Sequence, residues 1–456
     1  MSGLVPIRID GCAAVRGKRL VTAAAIDGME TTETFRGLYS RSSGRVHETA
    51  DPTAPDDGER RLDPTYDYDA VDPDDLPGVG SRIGRDASGP GADGGGSVPG
   101  RGHWRFDALL PFPARTAITA GEGGTPLVAT DRLADELGVE SVYVKDEGRN
   151  PTGSVLDRGL SVAVTAVSMR TSEGDHGDDD AGEPGDAVDV EPLVCASPGN
   201  AGVSMAAYAG RADLRSYAFV PARCPFSNKA MTNVHGGEMR VAGGRYPDAA
   251  AAVDEQLETD YTSLNEFDTP YRHDGIKTVA FELVADLGGA PDVVVVPTGT
   301  GEVLAGVRKG FHELDRIGAI DGLPRLVAVQ PEGCAPVAAA VERGLDEPEP
   351  WSTPDTICGE LEVPDPAGGR AAVEAVRESA GTAVTVSDEA ILESAVAVAQ
   401  NEVIEAGAAG GAAPAGVWAL AEDDFFDGPE TVVLLNTDAG LKTPDVLRSH
   451  LMGAGI

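Results

Sequence analysis

Short apolar runs alternate with longer amphipathic stretches along most of this chain. Val293-Val294-Val295-Val296-Pro297 is apolar at every position, and Leu193–Ala196, Leu326–Gln330 and Val432–Asn436 share that character. Runs of this length with no polar face are strands buried on both sides, the mark of a parallel sheet rather than an open antiparallel one. Ser141–Lys145 reads as a further strand. Helical spacing follows these runs: a helix is predicted from Ser154 through Met169, with Asp157 in its first turn, another over Asn200–Ala209, and a third over Glu302–Leu314 after a Gly-rich turn. Strand and helix in alternation predict an α/β fold, its parallel sheets covered by helices.

The pattern lapses in three places. Residues 1–75 are weakly patterned, with no clear element. Residues 76–101 are rich in Gly, Ser and Pro around Gly94-Gly95-Gly96, and are predicted to be a flexible linker. Residues 173–189, which include Asp178-Asp179-Asp180, are predicted to be a disordered acidic insert between a helix and a strand, solvated rather than ligand-binding. This leaves a core over 102–450, and a chain of 456 residues is long enough to form two lobes.

Charge narrows the partners. Asp and Glu number 75 against 36 Lys and Arg, a formal net charge of −39. Such a surface repels nucleic acid and anionic membranes, so neither is expected as a partner. It suits a high-salt, halophilic cytoplasm, where screening shortens the self-repulsion. The cysteines (Cys12, Cys195, Cys224, Cys334, Cys358) lie far apart with no Cys-x-x-Cys spacing, and the histidines are scattered. Free thiols in a reducing compartment are expected, and no metal site. With no signal peptide or apolar run of spanning length, the expected location is the cytoplasm.

The chemistry-bearing segment is Asn150-Pro151-Thr152-Gly153-Ser154-Val155-Leu156-Asp157-Arg158-Gly159. It resembles the cofactor-lysine motif of the threonine synthase family, fold-type II pyridoxal-phosphate enzymes related to tryptophan synthase beta, with Leu156 where that family has its lysine. The resemblance runs in family order from about Gly102 to Lys442. It includes Gly102-His103-Trp104-Arg105-Phe106, Gly121–Leu127, Val144–Gly148, Ser197-Pro198-Gly199-Asn200-Ala201-Gly202, Thr269–Gly275 with Lys277-Thr278, Glu332–Pro336 and Thr437-Asp438-Ala439-Gly440-Leu441-Lys442. It implies the two-lobed fold-type II architecture, with the cofactor between the lobes, and homodimers are common in the family.

In that family the lysine holds pyridoxal phosphate as a Schiff base and then shuttles protons during conversion of O-phosphohomoserine to threonine and phosphate. Leucine can do neither. Loss of positioned acid–base catalysis alone costs about 10² to 10⁴ in rate. The resemblance assigns cofactor contacts to Asn200, Gly299, Thr300, Gly301 and Thr437, and substrate contacts to Lys145, Ser154, Ser197, Ser263 and Arg272. Arg272 is the expected bidentate clamp on the substrate phosphate. Against a functional reading of the loop stands a structural one: an Asp157–Arg158 ion pair at the helix start, capped by Ser154.

Three departures accompany Leu156. Glu302 places a carboxylate in the cofactor-phosphate cradle Thr298-Gly299-Thr300-Gly301-Glu302, Pro198 stands where Ser or Thr is usual, and Asp438 replaces a glycine. A carboxylate 4 Å from a phosphate charge costs roughly 4 kcal/mol at an effective dielectric near 20, unless the side chain turns to solvent. The expectation is a threonine synthase-like protein that does not hold the cofactor or run the family reaction. It binds a small anionic amino-acid metabolite, alone, as a homodimer or beside an active paralogue. The alternative is an active lyase with a displaced lysine or a non-covalently held cofactor, Lys145 being the nearest candidate; Lys277 and Lys442 read as structural. A lysine-independent enzyme reusing the cleft is a third reading, for which no nucleophile or base stands out.

Overall fold

The fold is seen in a computed structural model that describes residues 25–26, 28–52, 62–80, 102–172, 191–257 and 260–453. Strands β1 (Ala25–Ile26), β2 (Met29–Glu30), β3 (Phe35–Ser40), β4 (Val46–His47) and β5 (Leu62–Tyr66) belong to the N-terminal region. The core carries β6 (Leu127–Ala129), β7 (Ser141–Asp146), β8 (Leu193–Ala196), β9 (Ser216–Val220), β10 (Glu238–Val241) and β11 (Thr262–Ser263). It continues with β12 (Val293–Pro297), β13 (Arg325–Pro331), β14 (Thr382–Val386) and β15 (Thr431–Asn436).

Two sheets build the core. One runs β14-β13-β12-β15-β7-β6, parallel except for the antiparallel edge strand β6, and the other runs β10-β9-β8-β11, all parallel. The all-valine run of β12 lies between β13 and β15 and is fully buried. Removing each such side chain from water contributes roughly 1.5–3 kcal/mol, which is why this run has the same bounds in the structure as in the apolar pattern. β8 also keeps its predicted bounds, Leu193–Ala196, while three other elements extend by one or two residues: β7 to Asp146, the Asn200 helix to Arg211, and the Glu302 helix to Arg316.

The helix expected to begin at Ser154 begins at Leu156 and runs to Ser172. Residues 151–155 form a turn instead, because the Val155 amide donates to the Thr437 carbonyl at 3.0 Å and the Leu156 amide to Ser154 Oγ at 3.2 Å. The Leu156 helix then packs backbone to backbone on the short helix Tyr271–Ile276. A Cβ on Gly159 would lie 2.4 Å from the Arg272 carbonyl oxygen, and one on Gly275 would lie 2.2 Å from that of Arg158. These glycines let the two motif segments touch.

The N-terminal sheet β4-β3-β5 is antiparallel, and Phe35, Leu38 and Tyr66 join the main apolar core. Polar contacts fix it there: His273 Nε2 meets Asp63 at 2.6 Å, the Tyr66 hydroxyl donates to Asp274 at 2.6 Å, and Lys309 Nζ donates to the Pro64 carbonyl at 2.6 Å. Leu76 and Val79 are buried too, so the packed chain continues past residue 75 to Gly80. The rest of the 76–101 stretch, from residue 81, and the 173–189 insert lie outside the described residues, as does Cys12. The four described cysteines are buried free thiols. Among the described residues no helix is long and apolar enough to cross a membrane.

Candidate functional site

In an open parallel sheet the loops leaving the carboxyl ends of the strands gather over one edge, and the crevice there is the usual ligand site. The motif loops of this chain are those loops. Residues 147–156 follow β7, 197–200 follow β8, 298–302 follow β12, and 437–442 follow β15. The segment carrying Arg272 follows β11.

The residues after Leu156 have buried partners, but not each other. Asp157 accepts from the Thr152 amide at 2.7 Å, the Thr152 hydroxyl at 2.6 Å and the Ser204 hydroxyl at 2.5 Å. Burial nevertheless pushes its pKa up to about 6. Arg158 grips Glu147 with Nε at 2.7 Å and Nη2 at 2.8 Å, and Glu282 with Nη1 at 2.9 Å and Nη2 at 2.7 Å. The predicted Asp157–Arg158 pair is therefore replaced by two separate networks, because the side chains leave the helix in different directions.

Lys145 belongs to the second network. Its amine lies 2.9 Å from Glu282, 3.1 Å from Asp286 and 2.8 Å from the Thr125 carbonyl, with the side chain fully buried. Those partners match its three donors, so the amine is held in a buried ion pair within the chain. Ser154 Oγ serves the Leu156 amide, Ser197 Oγ accepts from the Gly199 amide at 3.0 Å, and Ser263 Oγ donates to Asp268 at 2.7 Å.

Arg272 and Glu302 meet. Arg272 Nη2 lies 2.5 Å from Glu302 Oε2, Nη1 donates to the Leu264 carbonyl at 2.7 Å, and Glu266 Oε2 stands 3.8 Å away. Both members of the close pair are buried, at 2% and 1% exposure. Glu302 thus does not turn to solvent, and the arginine read as a phosphate clamp faces a carboxylate of its own chain. Burial raises the Glu302 pKa, with Arg272 opposing the rise and Glu266 adding to it.

A second polar group surrounds Asp438. Asn200 Nδ2 donates to Asp438 Oδ2 at 3.3 Å, and Asn228 Nδ2 donates to Asn200 Oδ1 at 3.4 Å and to Glu360 Oε1 at 3.0 Å. Lys442 Nζ donates to Asn228 Oδ1 at 3.3 Å. Ser154 pairs with Asp438 in an isolated bridge, and a Cβ on Gly299 would lie 2.7 Å from the Glu360 carbonyl oxygen. This group joins Ser154, Asn200, Thr437 and the Gly299 turn in one cluster. Burial, and then Asp438, hold the Glu360 carboxyl up to about 8, while burial lowers the Lys442 amine. Asn228 and Glu360 carried no motif or periodic signal in the sequence. Lys442 did, in its loop motif, and its amine is buried in this cluster.

The architecture and the strand-end placement of the motif loops define a fold-type II pyridoxal-phosphate enzyme scaffold. A family model described as "Pyridoxal-phosphate dependent enzyme" matches residues 118–438. Within that class the chain belongs to the threonine synthase family. It is 34% identical over 346 residues to threonine synthase of Methanosarcina acetivorans, covering 75% of this chain and 81% of the relative. The Methanocaldococcus jannaschii threonine synthase is 33% identical over 347 residues, with 75% and 81% covered. Solved structures agree on the fold. A fungal L-serine ammonia-lyase from Rhizomucor miehei superposes with a TM-score of 0.59 at 21% identity, over 72% of this chain and 97% of that one. Diaminopropionate ammonia lyase from Escherichia coli gives 0.60 at 17%, over 74% and 89%.

Proposed function

We propose that this member of the threonine synthase family does not carry out the family's Schiff-base chemistry and instead binds a small anionic amino-acid metabolite in the strand-end cleft. The observation that carries the reading is Leu156. It heads its helix at the position where the motif has an amine, and its side chain packs against the main apolar core. An aliphatic group there can neither hold the cofactor nor move a proton.

The surrounding groups support the same reading, because they do not fit pyridoxal phosphate. The cradle turn holds the buried Glu302 carboxylate, and the carboxyls of Asp438 and Glu360 stand with Asn200 where the ring contacts are expected. Positive charge for an anion comes from Arg272 and Lys442.

One observation favours a second reading, an enzyme with a displaced amine. Burial lowers the Lys442 pKa, and the neutral amine is the nucleophilic form. Lys145 suits that role less, since its amine already meets three oxygens.

The test incubates the purified protein with pyridoxal phosphate, records the absorption spectrum before and after borohydride, and maps any labelled peptide by mass spectrometry. No trapped adduct is the expected result. A borohydride-fixed label on Lys442 would replace the first reading with the second.

A further inference from the structure

We propose that the cavity of about 220 Å³ between the helix Pro336–Arg343 and the loop that follows it is a binding site for a free amino acid with an apolar side chain, held as the zwitterion. The cavity is separate from the strand-end site, since of the residues that line it only Pro336 belongs to a motif segment.

The first wall is a helix face. Pro336, Ala339, Ala340 and Arg343 recur at i, i+3, i+4 and i+7, which places them on one side of the helix. Gly344, left-handed at φ 71°, ends that helix, and the chain returns past the same face as Glu349, Pro350 and Trp351. Two contacts seat the returning loop. The Trp351 amide donates to the Pro364 carbonyl at 2.8 Å, and Pro348 packs on the start of the helix Gly369–Glu378, where a Cβ on Gly369 would lie 2.8 Å from Pro348 Cγ. Pro348 and Pro350 also fix φ within the loop, so the second wall is built before a ligand arrives.

The lining is apolar with one pair of opposite charges at its rim. Alanine methyls, two proline rings and the half-buried indole of Trp351 suit an aliphatic side chain. Arg343 Nη1 lies 2.6 Å from Glu349 Oε2, and the two side chains are 52% and 65% exposed. An ion pair this exposed contributes little to stability, so its members can exchange each other for the charges of a ligand. A zwitterion matches both: its carboxylate accepts from the Arg343 fork, and its ammonium donates to the Glu349 carboxylate. A phosphate or a dicarboxylate would meet Glu349 with like charge, and a diamine would meet Arg343 in the same way. The volume sets the size. It falls short of the roughly 300–1,000 Å³ of sites for drug-sized molecules, which suits a single amino acid rather than a peptide.

The experiment titrates the full chain with L-leucine by calorimetry at constant ionic strength, with leucinamide and N-acetyl-leucine as probes that each lack one charge. Wild type should bind leucine saturably at one site. Arg343→Gln should weaken leucine by about threefold to fivefold, the scale of an exposed ion pair, and leave leucinamide unweakened. Glu349→Gln should weaken leucine to a similar extent and leave N-acetyl-leucine unweakened. Ala339→Leu, which fills the cavity from a half-buried helix position, should weaken leucine at least tenfold. No saturable leucine binding by wild type overturns the proposal. Leucine binding that survives Ala339→Leu unchanged puts the amino acid elsewhere, the strand-end cleft included, and overturns it too. Self-association that Ala339→Leu abolishes, without leucine binding, would give the cavity to a second copy of the chain instead. None of these readouts involves pyridoxal phosphate or a trapped lysine, so failure here is distinct from failure of the proposed function.

Discussion

Arg272 and Glu302 sit on two helices that touch through Gly306, whose Cβ position lies 2.8 Å from the His273 carbonyl oxygen, and their ion pair closes that contact at 2.5 Å. Removing one member of a buried pair leaves the other charge uncompensated, which costs about 3–5 kcal/mol, whereas removing both costs far less. Arg272→Met and Glu302→Gln should each lower unfolding stability by about that amount, and the double variant should lose much less than the sum. Additive losses in a denaturant-melt double-mutant cycle would show that the two residues act separately.

Leu156→Lys returns an amine to the head of its helix. With Glu302 still in the cradle, this single change should leave pyridoxal phosphate untrapped by borohydride. Combined with Glu302→Gly, it should give a trappable adduct at position 156. A single Leu156→Lys variant that traps as well as the double variant would show that Glu302 does not obstruct the cradle.

Glu360 sets a pH dependence. Its folded-state pKa of about 8 lies above the ordinary value of 4.5, chiefly through burial and then through Asp438. Between those values the folded protein holds a proton that the unfolded chain has lost. The stabilisation is therefore full below about pH 4.5 and is lost as pH rises through about 8. Chemical denaturation across this range should show stability falling with pH in wild type and a flatter profile in Glu360→Gln. Parallel profiles would mean that another group carries the slope.

Gly159 faces Gly275 across a helix contact with no room for a methyl group, 2.4 Å from the Arg272 carbonyl oxygen. Gly159→Ala should cost about 1–3 kcal/mol by forcing the helices apart. Gly289→Ala, where a Cβ meets nothing within 4 Å, is the matched control. Thermal melts of the two variants that shift equally would sink this account.

Strands β7, β8, β12, β13 and β15 and three of the helices could be read from the sequence because their apolar pattern is local, as in Val293–Val296; the remaining strands and helices were not read. What could not be read depends on distant partners. The Leu156 helix starts two residues late because Val155 is held by Thr437, on a strand-end loop near the other end of the chain. Arg272 and Glu302 each stood out singly, but their pairing follows from a helix contact that no spacing rule contains. Glu360 lies in a single 3-10 turn, Gly359–Leu361, and Asn228 on a helix, Phe226–Val234, both outside every motif, so neither carried a signal. Residues 1–75 read as weakly patterned because the strands among their described residues span only two to six residues and pack on helices far along the chain.

The grip of the N-terminal sheet on the arginine-bearing helix also sets an order of assembly. Tyr66 and Asp274, which share a hydrogen bond, are 208 positions apart. Contacts of such separation form late, because the loop between them must first be closed. During synthesis the β5 strand leaves the ribosome long before its partner exists. Arg272, on the same helix as Asp274, finds its partner Glu302 only thirty positions further on, so its neutralisation does not wait for that long-range closure.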